Sequence, residues 1–446
     1  MVPSPWRYTL RTHYAKRLFI VMLAVVLCLV CAWAFYITRA GLDDHFVVEQ
    51  EDPDAPLSER LAFNVETSRS GPHEAVFCVP DEADEQYYVY LPSYAEMDRV
   101  KVALRTDVPL SLGGIPLNNG MACDVFPVGE ALELSGEGLG AANLTFLASA
   151  NVGTLYVDTS SGAMDAVNED KYHRESVSLA LFDAQGRLDY QSRFTDEIRG
   201  HGQSSWKRPK RSYNLYLDDV ADLLGMGKAK QWVLVASMTD ECNLRNDMIY
   251  AFARNIASYD GFAPKCAYLD VYLNGKYNGL YLLCQKLDIN PSQLDIPQDS
   301  WLFVIDLARR TSTMKDSFKI DGGRALKIKN PSPCSDEQKD QLVTHLSQFQ
   351  NALLSEDGVN PETGIAWNEY IDLESFARKF LIDEVFSNYD AGMASQYYNW
   401  NAEDGLIYAG PCWDYDGTLG IFTQKTPNCF LTLREWASPN VYRIIL

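Results

Sequence analysis

Near its C-terminal end the sequence reads CWDYDGTLG, Cys412 to Gly420, which sets Asp414 and Asp416 one residue apart and follows them with glycine. Hard divalent cations such as Mg²⁺ bind through one or two carboxylates together with substrate phosphates; an ordinary Asp-Gly turn is the alternative reading. A third acid, Asp390, closes a helix-like run in SNYDAG. A helix C-terminus carries negative dipole character, so an acid there is not placed for helix stability, although a simple turn-forming Asp also fits. The remaining piece is RGHGQSSWKRPKRSYNLYL, Arg199 to Leu217, with Lys207, Arg208, Lys210 and Arg211 among glycines and small hydroxyl residues. Glycine lets a backbone approach phosphate closely, and Lys or Arg neutralises its charge; a solvated basic turn has the same composition. The stretch is neither a P-loop nor a dinucleotide fingerprint. Taken together, a cationic cradle, an acid that orients or deprotonates a hydroxyl and an acid that holds metal are the parts of a phosphoryl-transfer site.

The elements that would position these residues follow from the rest of the chain. Its 446 residues carry a formal net charge of −21, which argues against a nucleic-acid partner. The first 17 residues read as a cytoplasmic tail and 18–38 as a transmembrane anchor, since Leu18 to Ile37 is uncharged and long enough to cross a bilayer. Arg7, Arg11, Lys16 and Arg17 precede the apolar run and acids follow it, so the positive-inside rule predicts an extracellular remainder. A cleaved signal peptide is the rival reading. Residues 39–72 read as a stalk and 73–150, with short alternating runs such as YYVYLP, as a small β-sandwich-like module. Residues 151–446 form the last domain. Its strands come first (ESVSLALFD, SYNLYLDD, WVLVASMTD), a hairpin turning on Asn274–Gly275 follows, and amphipathic helices come late. That order predicts an α+β, two-lobed unit. Cysteine spacing gives no zinc site; Cys266 with Cys284, and Cys78 with Cys123, are candidate pairs.

From about Gly153 to Gly420 the chain resembles the spore-coat-protein-H (CotH) kinase family. The matching stretches, in the family's order, are GTLYVDTSSG…EDKY, RGHGQSSWKRPKRSYNLYL, LLGMGKAKQWVLVASMTDECNLRND, YLDVYLNGKYNGLYLLCQKLD, SNYD and GPCWDYD. The resemblance implies an atypical protein-kinase-like fold and transfer of the ATP γ-phosphate to a protein hydroxyl with Mg²⁺ or Mn²⁺. It implies Asp390 as the catalytic acid, Asp414 as the metal ligand and Asp416 as its weaker companion. It implies phosphate contact by Arg199, Gly200, Gly202, Ser204, Ser205 and Lys210, and a structural or ATP-positioning role for Arg245. Three departures stand out. The chain has RGHGQSS where the family commonly has RGNS. Gln285 stands where the family commonly has Glu before the lysine that closes the hairpin. Gln396 is the nearest candidate for the Asn found beyond the catalytic Asp, as a second metal ligand.

Two other functions stay open at this point. A non-catalytic surface binding or adhesion protein could use the kinase-like domain as a scaffold, which the external placement and the substitutions at 285 and 396 favour. A carbohydrate-active enzyme needs two acids facing each other across a sugar; Asp414 and Asp416 are too close in sequence to straddle one, whereas Asp390 with Asp414 could.

Overall fold

The hairpin turns where the sequence places it: Asn274 and Gly275 take φ of 50° and 75°, and Leu273 pairs with Lys276 across the turn. The protein is described here by a computed structural model covering residues 55–66, 74–81, 86–203, 205–257, 260–305, 316–320, 325–388, 390–392 and 394–421. These residues divide into two units. The first takes residues up to 87, 97–126 and 131–144. It contains a three-stranded antiparallel sheet in which Leu61–Val65 is central, flanked by Glu74–Phe77 and Val100–Leu104. Phe63, Val65, Val100 and Val102 are buried there, as strand alternation requires.

The second unit takes 88–96, 127–130 and the chain from 145 onward, and it holds every candidate site residue described. Its strands are β1 (Gly153–Thr159), β2 (Glu175–Phe182), β3 (Leu188–Gln191), β4 (Asp196–His201), β5 (Ser212–Asp222) and β6 (Lys228–Val235). Helix α1 (Arg245–Ala257) follows, then the hairpin strands β7 (Cys266–Leu273) and β8 (Lys276–Gln285). The sheet order is β1-β7-β8-β6-β5-β4-β2, with β3 on the edge of β2. Because β1 also pairs with β2, seven strands close into a barrel. All neighbours are antiparallel except β1 and β7. Leu155, Val157, Leu179, Ile198, Leu215, Trp232, Leu234, Leu269 and Leu283 fill the interior. Cys266 and Cys284 stand opposite each other on β7 and β8, both as free thiols; Cys78 and Cys123 are also free.

A second, five-stranded antiparallel sheet follows: β9 (Trp301–Ile305), β10 (Ser317–Lys319), β11 (Ala325–Asn330), β12 (Gln396–Trp400) and β13 (Ile407–Ala409), in the order β10-β11-β9-β12-β13. Helix α2 (Asp336–Leu354) covers it with Leu342, Leu346 and Phe349. Ser335 opens α2 with a capping box: its hydroxyl accepts from the Gln338 N–H and the Gln338 side chain accepts from the Ser335 N–H. Helix α3 (Leu373–Val385) is capped by Asp372, which accepts from the Ser375 N–H.

Two expectations are corrected. The chain is not an α+β kinase-like domain in two lobes: of the described residues 39% are strand and 18% helix, and the barrel sheet closes on itself. The order of elements concealed this, because closure depends on β1 finding a second partner, β7, more than a hundred residues later. The single-pass anchor and external placement find no support in the structure either. Among the described residues no helix is long and apolar enough to cross a membrane. The longest, α2, is amphipathic, with one face against the second sheet; the span expected at 18–38 lies outside the described residues.

Candidate active site

Strand periodicity sorts the barrel's side chains between its interior and its outer face. On β4, Ile198 points inward, so Arg199 and His201 point outward. Asn214 and Tyr216 of β5 share the outer face, and so does Lys286, three residues beyond the inward Leu283 of β8. Positive charge is crowded on this surface. The Tyr216 ring has the Arg174 Cζ at 4.0 Å, the Arg199 Cζ at 5.5 Å and the Lys286 Nζ at 5.6 Å from its centroid. Burial, and after it the charges of Lys329 and Arg199, push the Lys286 amine down to about 8. Its Nζ donates to the Gln231 Oε1 at 2.8 Å. The Arg199 Nε is buried and has no hydrogen-bond partner. Arg174 is paired with Glu197 at 2.7 Å, whereas the Arg199 Nε is a donor that an anion could satisfy.

His201 joins this surface to the acids. Burial above all, with Lys286, Lys329 and Arg199 adding, pushes its imidazole down to about 4, so it is neutral at pH 7. Asn214 fixes the tautomer: its Nδ2 donates to the Gly200 carbonyl at 2.9 Å, leaving its Oδ1 to accept from the His201 Nδ1–H at 3.0 Å. The His201 ring meets Trp413 edge-on at 6.4 Å, and Trp413 stacks on Tyr250 of α1 at 6.2 Å.

Helix α1 and the turn before it hold the segment behind Trp413. The Asp414 N–H donates to the Tyr250 hydroxyl at 3.0 Å, the Tyr415 N–H donates to the Asn246 Oδ1 at 2.7 Å, and the Thr239 hydroxyl donates to the Asp416 Oδ2. The Ser395 hydroxyl donates to the Asp414 Oδ2 at 2.7 Å. Asp414 keeps some exposure as a residue, but its carboxyl lies among protein atoms. Burial, then the charge of Asp416, with Asp390 adding, pushes that carboxyl up to about 7. The Asp414 carboxyl is therefore within electrostatic reach of both other acids singled out in the sequence.

The other candidates are placed differently. Gly200 is buried on β4, where an added Cβ would lie 2.4 Å from the Trp206 ring; packing alone demands glycine there. Gly202 has φ +86°, and its Cβ would meet the Ser205 Oγ at 2.1 Å. Ser204 lies outside the described residues. The Lys210 amine donates to the Leu280 carbonyl and sits over the Tyr281 ring; burial pushes it down to about 8, with Asp270 opposing. Leu280 is six residues before Lys286, roughly 20 Å along an extended strand at ~3.3 Å per residue, so Lys210 is apart from the Arg199–Lys286 group. Arg245 begins α1 and pairs with the buried Asp240, which also accepts its backbone N–H at 2.8 Å. Gln396 is buried, its Oε1 accepting from the Lys379 Nζ at 2.6 Å.

Gln285 is 1% exposed and faces the barrel interior, where its Nε2 donates to the Met226 and Gly227 carbonyls at 3.0 and 2.9 Å. Residues 285 and 286 thus serve opposite faces of one strand. The residue missed in the sequence is Lys286, and counting strand parity from the apolar Leu283 would have found it. Gln285→Glu is expected to destabilise the fold by about 3 kcal/mol, because a buried carboxylate would oppose two carbonyls in place of a donor; thermal unfolding checks this.

Among the described residues no group of three or more His, Cys, Asp or Glu side chains is arranged to hold a metal by itself. The crowded pair Asp414 and Asp416 fits a cation that completes its shell with phosphate and water, since Mg²⁺ requires only one or two carboxylates. No curated protein matches the chain. A family model described as CotH kinase protein matches residues 198–442, more than half of the chain and every site residue above except Arg174. With the motif order and this match in agreement, the chain belongs to the CotH kinase family.

Proposed function

We propose that the protein transfers the γ-phosphate of ATP to a protein hydroxyl, with Mg²⁺ or Mn²⁺ as cofactor. The observation that carries the reading is the junction at His201 and Trp413, where a cation-rich barrel face with an orphaned Arg199 donor meets a cluster of three acids. Family membership is consistent with a kinase-like activity and with ATP and a divalent metal. The acceptor class rests on the family resemblance.

In this reading Arg199, Lys286 and Lys329 neutralise phosphate oxygens, and Tyr216 and His201 form the wall between them. Asp414 and Asp416 hold the metal, whose bound charge would offset the charge developing on the transferred group. Asp390 accepts the proton of the incoming hydroxyl and orients its oxygen. Neutral His201 adds no charge that would compete for the phosphates. The Gln285 departure does not weaken the site, because that side chain serves the barrel interior.

The test is incubation of the purified chain with labelled ATP and Mg²⁺ or Mn²⁺. Label transfer that disappears in Asp390→Ala and Asp414→Ala is expected. Absence of transfer, or transfer indifferent to both substitutions, overturns the proposal.

A further inference from the structure

Behind the acids lies a polar cluster that the chemistry just proposed does not use. Asp383, in the last turn of α3, is 3% exposed, and Lys379, four residues earlier, is 5% exposed. Their ion pair closes at 2.5 Å. Neither residue suits the helix. An acid near a helix C-terminus opposes the dipole, and Lys placed N-terminal to the acid at this spacing is the less favourable order. A buried ion pair is also seldom the most stable filling for a core position; apolar residues of equal volume commonly do as well or better. What the pair supplies is geometry.

The hydrogen bonds show which geometry. The Asp383 Oδ1 accepts from the Asn388 Nδ2 at 2.9 Å and from the Tyr415 hydroxyl at 2.7 Å, while its Oδ2 accepts from Lys379. Through Asn388 the chain of bonds reaches the first acid, because the Asn388 Oδ1 accepts from the Asp390 N–H at 3.1 Å. The fully buried Tyr415 is itself the residue between Asp414 and Asp416. Through Lys379 it reaches Gln396, next to the Ser395 whose hydroxyl holds the Asp414 carboxylate. Helix α3, the turn at Asn388 and the segment at Tyr415 thus meet on one carboxylate.

We propose that Asp383 is the positioning residue of the acidic site, fixing the loop of Asp390 and the segment of Asp414 and Asp416 relative to each other through Asn388, Tyr415 and the Lys379–Gln396 arm. The proposal rests on the phosphotransfer reading for its kinetic consequence, though not for its structural one. Asp383 itself touches no substrate.

The experiment uses the full chain with Asn388→Ala and Tyr415→Phe, each of which removes one arm and leaves the Asp383–Lys379 pair intact. Each is expected to lower kcat by ~10- to 100-fold, the scale of a small misplacement of reacting groups. The KM for ATP should stay within about twofold, because the phosphate-binding cations lie on the barrel face. Amide exchange is expected to quicken in residues 388–396 in Asn388→Ala, with β8 exchange unchanged. Wild-type kcat in both variants, or a kcat loss matched by equal loss of ATP affinity and of global stability, overturns the positioning role. If the wild-type chain transfers no phosphate, the functional reading fails by itself. Exchange then decides the present proposal: unchanged protection around Asp390 in Asn388→Ala refutes it, and selective loss there supports it.

Discussion

Asp414→Asn is expected to reduce phosphoryl transfer by ~10³-fold or more, the scale on which one electrostatic contributor to a transition state acts, while raising the thermal stability of the metal-free protein. The two effects share one cause. The Asp414 carboxyl is pushed up to about 7 by burial and by Asp416 and Asp390, so its charge is a strain on the folded state that a proton or a bound cation relieves. Asparagine keeps the side-chain shape and can still accept from the Ser395 hydroxyl, and the bond from the backbone N–H to Tyr250 is untouched. It also tolerates the left-handed backbone, φ +67°, that residue 414 adopts. Relief of ~1 kcal/mol corresponds to a rise of about 2–4 °C for a unit of this size. Label transfer and a melting curve on one preparation check both halves. Activity within tenfold of wild type would remove Asp414 from the metal site.

Lys286→Met is expected to weaken ATP binding by ~10²-fold, about 3 kcal/mol for a lost charged hydrogen bond to phosphate, with little loss of stability or a gain. In the free protein this amine sits at about 8, held there by burial and by Lys329 and Arg199, against 10.5 for an ordinary lysine. Between those values the unfolded chain binds more protons than the folded one at this residue, so its contribution to stability rises with pH from about 8 toward 10. Lys210 titrates in the same range in both proteins, so the difference between wild type and Lys286→Met isolates the one residue. A bound triphosphate restores the proton. ATP binding at about pH 9 is therefore expected to take up protons in the wild type, and to take up fewer in Lys286→Met. Calorimetry in buffers of different ionisation enthalpy reads this directly, and equal uptake in the two proteins would place the triphosphate elsewhere.

Much of this protein is local and so could be read from its sequence. Asn274–Gly275 announces its hairpin because few other dipeptides accept two positive φ angles. The capping box at Ser335 and the apolar spacing of α1 to α3 likewise depend on neighbours within a few residues. The acids Asp390, Asp414 and Asp416 were visible as residue types with a shared chemistry, and they converge.

What only the tertiary structure decided depends on contacts across long stretches of chain. Closure of the barrel needs β1 to pair with both β2 and β7, and no local pattern encodes a second partner. The basic stretch at 199–211 reads as one cationic loop, yet Arg199 lies on the outer barrel face while Lys210 turns to Leu280. Gln285 and Lys286 differ by one residue and therefore by one face, a distinction set by strand register. Gln396 has the oxygen of a metal ligand, but Lys379 claims it. Residue types named the chemistry; strand pairing and burial, which couple residues far apart in the chain, determined which of them meet.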